Sequence, residues 1–154
     1  MKPLIAAVIL AVVVVAGCGG SSEDTASQST PPAHEETAAN SSNKGVGPIT
    51  EVDVTTLDPE QAAAGAAIFE AKCTACHKIE ERYIGPALSG VTKRREPEWI
   101  MNMILNPEVM VKEDETAKSL LAQYLAPMTN QHLTEDEARL VLTYFLENDK
   151  SIVE

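Results

Sequence analysis

Five residues constrain this chain more than any others: Cys73-Thr74-Ala75-Cys76-His77. Cysteines three positions apart lie on one face of a helical turn. Two thiols can therefore be joined to one rigid group while the adjacent imidazole is carried beneath it. A disulfide-exchange pair shares the C-x-x-C spacing but wants a strand before it. The preceding stretch here, Ala62-Ala63-Ala64-Gly65-Ala66-Ala67-Ile68-Phe69, is Ala-rich and helical in character. A zinc site needs further Cys or His at ligand spacing, and Cys18, His34 and His132 form neither a second C-x-x-C nor an H-x3-H pair.

The motif then reads as the attachment signature of c-type haem, with Cys73 and Cys76 meeting the two vinyl groups and His77 as proximal iron ligand. One such motif implies one covalent haem c. The third cysteine falls elsewhere. Lys2 and the uncharged run Leu4–Ala16 have the pattern of an export signal and are short for a bilayer-spanning helix. Val15-Ala16-Gly17-Cys18 follows, and it resembles the bacterial lipobox, in which the signal is cut before a cysteine that receives lipid. Residues 1–17 are thus expected to be a lipoprotein signal peptide, and Cys18 the lipid attachment site. The resemblance implies a protein exported in a bacterium and anchored to the cell envelope, facing the periplasm or the outside. A multiply acylated residue is a stable anchor, because each buried methylene is worth about 0.8 kcal/mol.

From Gly19 to about Val54 the chain is small, polar and turn-rich, as in Ser27-Gln28-Ser29-Thr30-Pro31-Pro32. It lacks the apolar surface needed to offset chain entropy. Residues 18–57 are therefore expected to form a lipidated, disordered tether, and residues 58–154 the folded domain. Asp58-Pro59-Glu60-Gln61 is a helix start, with a capping acid and Pro at the first helical position. Pro97–Leu105 predicts a second helix, ended by Asn106-Pro107, and Glu115–Tyr124 a third. Thr134-Glu135-Asp136-Glu137 is a capping box that opens the last. No segment alternates with period two. The class is all-α, with about four short helices around one haem, and so small a core leans on the cofactor's apolar mass.

Around the motif stand Gly65 and Phe69 before it, Ile84-Gly85-Pro86-Ala87-Leu88 after it, and Tyr144 and Phe145 in the closing helix. Together they resemble the class I c-type cytochromes over residues 59–148. The resemblance implies that Gly65 lets the first and last helices cross closely, with Phe69 packed on Tyr144 or Phe145. It implies that the Pro86 carbonyl accepts a hydrogen bond from the Nδ1–H of His77, that Trp99 donates its indole N–H to a haem propionate, and that Arg94 or Arg95 pairs with the same carboxylates. It also puts the distal ligand in the loop before the last helix, which points to Met128 after Ala126-Pro127. Met110, read as lying in a loop, stands next, and His132 would give a bis-histidine iron. Met101 and Met103 read as helix core.

A His/Met iron has both axial positions filled, so the expected activity is outer-sphere electron exchange: an electron carrier, not an enzyme. The other readings are a haem-based ligand sensor or peroxidase-like enzyme, and a haem-bearing docking subunit. The implied partners are redox proteins such as a terminal oxidase or reductase. The formal net charge of −11 argues against nucleic acid. Between Lys72 and Arg95, six basic residues stand against two acids, whereas ten acids and four basic residues follow Met103. If the first segment frames the haem edge, it would steer an acidic partner there.

Overall fold

In the computed structural model, which describes residues 43–55 and 58–150, the described residues form six helices and no strand. These are α1 (Pro59–Lys72), α2 (Val91–Arg94), α3 (Pro97–Leu105), α4 (Pro107–Glu113), α5 (Glu115–Tyr124) and α6 (Glu135–Lys150). The expected signal peptide, Cys18, His34 and the expected tether as far as residue 42 lie outside the described residues. Among the described helices none is long and apolar enough to cross a membrane.

The helix ends obey local chemistry. The Asp58 carboxylate accepts the N–H of Glu60 at 2.9 Å, with Pro59 opening α1. Thr134 and Glu137 complete the capping box reciprocally, through Glu137 N–H to Thr134 Oγ1 at 3.2 Å and Thr134 N–H to Glu137 Oε2 at 2.8 Å. Pro107 ends α3, since it cannot donate into that helix, yet it suits the first turn of a new one and starts α4. This short helix is absent from the sequence reading, and it removes Met110 from the loop assigned to it. Met110 is fully buried in α4.

α1 crosses α6 at Gly65, where a Cβ would overlap the backbone carbonyl of Leu140. Beyond the crossing Phe69 meets both expected partners. Its ring centroid lies 5.5 Å from that of Tyr144 and 5.6 Å from that of Phe145, contacts worth about 0.5–1.5 kcal/mol each beyond area burial. α3 packs on α6, so that Trp99, Ile100, Met101 and Ile104 share one buried cluster with Ala138, Val141, Leu142 and Phe145.

The folded domain begins earlier than Asp58. Residues 43–54, placed in the tether by their polar composition, form a strap packed against α3, α4 and the start of α5. Val46, Ile49, Val52 and Val54 join the core. The Asn43 carboxamide donates to Asp114 at 2.8 Å, and the N–H of Val46 points at Met110 Sδ, 3.0 Å away. Lys44 lies 3.0 Å from the buried Glu98. Burial alone would raise the Glu98 carboxyl, but backbone hydrogen bonding and the Lys44 ammonium outweigh it and hold the group below its ordinary range.

Candidate haem site

α1 delivers the motif. Its last turn closes with Cys73 N–H on the Phe69 carbonyl at 2.9 Å, and one further turn follows, with Cys76 and His77 N–H both on the Cys73 carbonyl at 3.0 and 2.9 Å. The two cysteines and the histidine are therefore held by a single turn. Both thiols are free, Cys73 half-buried and Cys76 exposed. Burial first, and then the neighbouring Cys76, push the Cys73 thiol up, away from a thiolate nucleophile. Among the described residues no three His, Cys, Asp or Glu side chains gather as a metal cluster.

The His77 ring is fixed from two sides. Its Nδ1 lies 3.1 Å from the carbonyl of Pro86. A carbonyl only accepts, so Nδ1 carries the proton and Nε2 keeps its lone pair for a metal. Burial lowers the imidazole pKa more than the Pro86 bond raises it, which keeps the ring neutral and ligand-ready. Gly85 lies against the ring, where a Cβ would stand 2.5 Å from Cε1 and 2.8 Å from Nδ1. The loop that supplies Pro86 is itself tied down. Gly85 N–H reaches the Cys76 carbonyl at 2.8 Å, and Ser89 N–H reaches that of Ile79 at 2.8 Å. Arg94 donates to the carbonyls of Ser89 and Ala87 at 2.5 and 3.2 Å. From the far end of α6 the buried Asp149 accepts Gly90 N–H at 2.7 Å, Thr92 N–H at 2.9 Å and the Thr92 hydroxyl at 2.6 Å. Thiols on one turn beside a neutral, oriented imidazole fit a covalently attached porphyrin.

The distal candidates separate clearly. Met101 and Met103 lie in α3, and Met110 is enclosed in α4. Met128 is half-buried in the segment between α5 and α6, with His132 exposed four residues on at φ 55°. Trp99 takes a protein partner: its indole N–H donates to Asp114 Oδ1 at 3.0 Å inside the core. The reason is position: Asp114 ends α4, caps α5 through Ala117 N–H at 2.8 Å, and brings an acceptor under the ring. Arg95 lies over Trp99, 5.3 Å from the ring centroid, and donates to the Arg94 carbonyl at 2.8 Å. The sequence reading missed Asn102 and Asp149. A lone Asn inside the apolar Ile100–Leu105 run is the one signal that pointed to the first.

The all-α fold and this thiol–thiol–imidazole turn define a protein built to hold porphyrin covalently, and comparison with known proteins agrees. Residues 62–149 match the family model for cytochrome c. A cytochrome c-553-like protein of Synechocystis sp. is 44% identical over 46 residues, a match that covers 29% of this chain and 44% of that protein's length. Cytochrome c from Rhodothermus marinus is similar in structure, with a TM-score of 0.67 and 40% identity over 68% of this chain and 91% of that one. The cytochrome c domain of a Pseudomonas putida protein has a TM-score of 0.54 at 29% identity, covering 58% and 91%. The chain belongs to the cytochrome c family, as a class I c-type cytochrome with one covalent haem c.

Proposed function

We propose that this chain is a single-electron carrier, exported and tethered to the cell envelope through lipid on Cys18, that serves redox partner proteins such as a terminal oxidase or reductase. The observation that carries the reading is the His77–Pro86 hydrogen bond beside two free thiols. It supports a permanent proximal ligand with its second nitrogen committed to the protein. Bound haem supplies a one-electron iron couple. The chain's own part is to hold Nε2 of His77 on one side and the thioether of Met128 on the other. A soft sulfur ligand favours the reduced state and raises the potential relative to a second imidazole. Held by His77 and Met128 together, the haem would offer no position for a substrate, and outer-sphere electron exchange is the activity this ligand set would permit. Arg94 and Arg95 contribute positive charge near the proximal loop for the propionates.

The second reading is a haem enzyme or ligand sensor. The engineered Rhodothermus marinus cytochrome, whose structure has a bound carbene intermediate, prompts it. One experiment separates the two. The oxidised holoprotein is expected to have a sulfur-to-iron charge-transfer band in the far red that Met128→Ala abolishes, and the reduced protein is expected to bind carbon monoxide slowly. Rapid carbon monoxide binding without that band favours the enzyme or sensor. Cys18→Ser should release the protein from the membrane fraction, and retention there would remove the lipid anchor from the reading.

A further inference from the structure

Met128 belongs to the segment Leu125–Leu133, whose two ends are set by helices. Leu125 terminates α5 at φ 55° with its N–H on the Leu121 carbonyl, and Thr134 begins the α6 capping box. Between these ends, one hydrogen bond among the described residues joins the segment to the rest of the domain. Asn130 Nδ2 donates to the carbonyl of Leu105 at 3.1 Å. Leu105 is the last residue of α3, and a carbonyl in that final turn has no partner within its own helix. The oxygen of the same carboxamide accepts the N–H of His132 at 2.7 Å, which closes a turn that ends on His132, a residue in the left-handed region. Gln131, by contrast, bonds only to Thr129 within the segment.

We infer that Asn130 is the positioning residue that keeps Met128 in ligand geometry, by pinning its loop to the end of α3. This rests on Met128 as sixth ligand. Retention of that ligand is an equilibrium between a loop that is seated and one that has swung away, and only the seated loop makes the Asn130–Leu105 bond. A hydrogen bond of ordinary net strength multiplies the ratio of seated to released loop by about two- to tenfold.

The test titrates the oxidised holoprotein with imidazole, which competes for the position of the thioether, and follows the far-red sulfur-to-iron band. Asn130→Ala, and Asn130→Asp, which keeps an acceptor for His132 but has no N–H for Leu105, should both bind imidazole about two- to tenfold more tightly than the parent. Gln131→Ala should bind as the parent does. Asn102→Ala, which weakens the fold away from this loop, separates positioning from general destabilisation. If it tightens imidazole binding as much as Asn130→Ala does, the inference falls. It falls equally if both Asn130 variants match the parent while Met128→Ala loses the band, an outcome that leaves the ligand assignment standing. A band that survives Met128→Ala removes the ligand assignment itself, and this inference with it.

Discussion

Asn102 pairs with Ile49 as a neighbouring strand would. Its carboxamide oxygen accepts the Ile49 N–H at 3.0 Å and its nitrogen donates to the Ile49 carbonyl at 2.8 Å, with a second donation to Lys44 at 2.9 Å. One side chain on α3 thereby satisfies both backbone groups of a buried residue in the strap, a segment with no sheet to join. The strap is in this way part of the domain.

Cutting the strap should unfold what Asp58 onward retains. A chain beginning at Asn43 is expected to unfold in urea at the same midpoint as the longer protein, whereas one beginning at Asp58 strands Asn102, Glu98 and Asp114 and should be strongly destabilised. Asn102→Ala alone should cost about 1–3 kcal/mol, the penalty for unpaired buried polar groups. Equal midpoints for the two truncated chains would refute this.

Gly65→Ala should destabilise, although Gly→Ala inside a helix ordinarily stabilises by about 0.5–1 kcal/mol. The new methyl has to displace the Leu140 backbone, and overpacking of that kind costs about 1–3 kcal/mol. Thermal unfolding of this variant against the parent gives the sign directly.

Gly85→Ala tests the proximal side. The methyl would press on the His77 ring and turn it from the Pro86 carbonyl. We expect less haem covalently loaded during expression with a maturation system, measured by intact mass, and an altered reduced spectrum in what is loaded.

Met110→Ala and Met128→Ala should fail in opposite ways. Met110 is fully buried core, so its truncation should cost about 2–5 kcal/mol and leave the far-red band in place. Met128 should show the reverse. Should Met110→Ala abolish the band at unchanged stability, the two assignments are exchanged.

Asp149 should shape the acid limb of stability. Burial raises its pKa, but the Thr92 and Gly90 hydrogen bonds outweigh this and hold it below the ordinary aspartate value. A depressed folded pKa contributes stability that is present above the unfolded value, about 3.9, and is lost as pH falls through the lower folded value. Asp149→Asn should therefore be less stable at neutral pH and should lose less on acidification. Parallel pH–stability curves for the two proteins would contradict that.

Steering can be read from salt. Of the six basic residues between Lys72 and Arg95, Lys78 and Arg82 lie over Tyr83 and Tyr124, at 5.4 and 4.4 Å from the ring centroids. If this segment steers an acidic partner, stopped-flow electron transfer should slow with ionic strength. A salt-independent rate means it does not.

Features set by near neighbours along the chain were legible before any fold was known. The haem motif is five consecutive residues. The caps at Asp58 and Thr134 act over two or three positions, and Gly65 and Phe69 stand one turn apart in α1, where the family resemblance implies a crossing. The partner that each buried polar group takes emerged from the folded core alone. Asn43 finds Asp114 across 71 positions, and Asn102 finds Ile49 across 53. Such pairs follow no period, so polar composition read the strap as tether and a family resemblance read Trp99 as a propionate donor. Three-dimensional proximity gave the indole to Asp114 and enclosed Met110. A hydrogen bond within reach in the folded core avoids the desolvation cost of leaving either group unpaired, and local sequence does not encode which groups will come within reach.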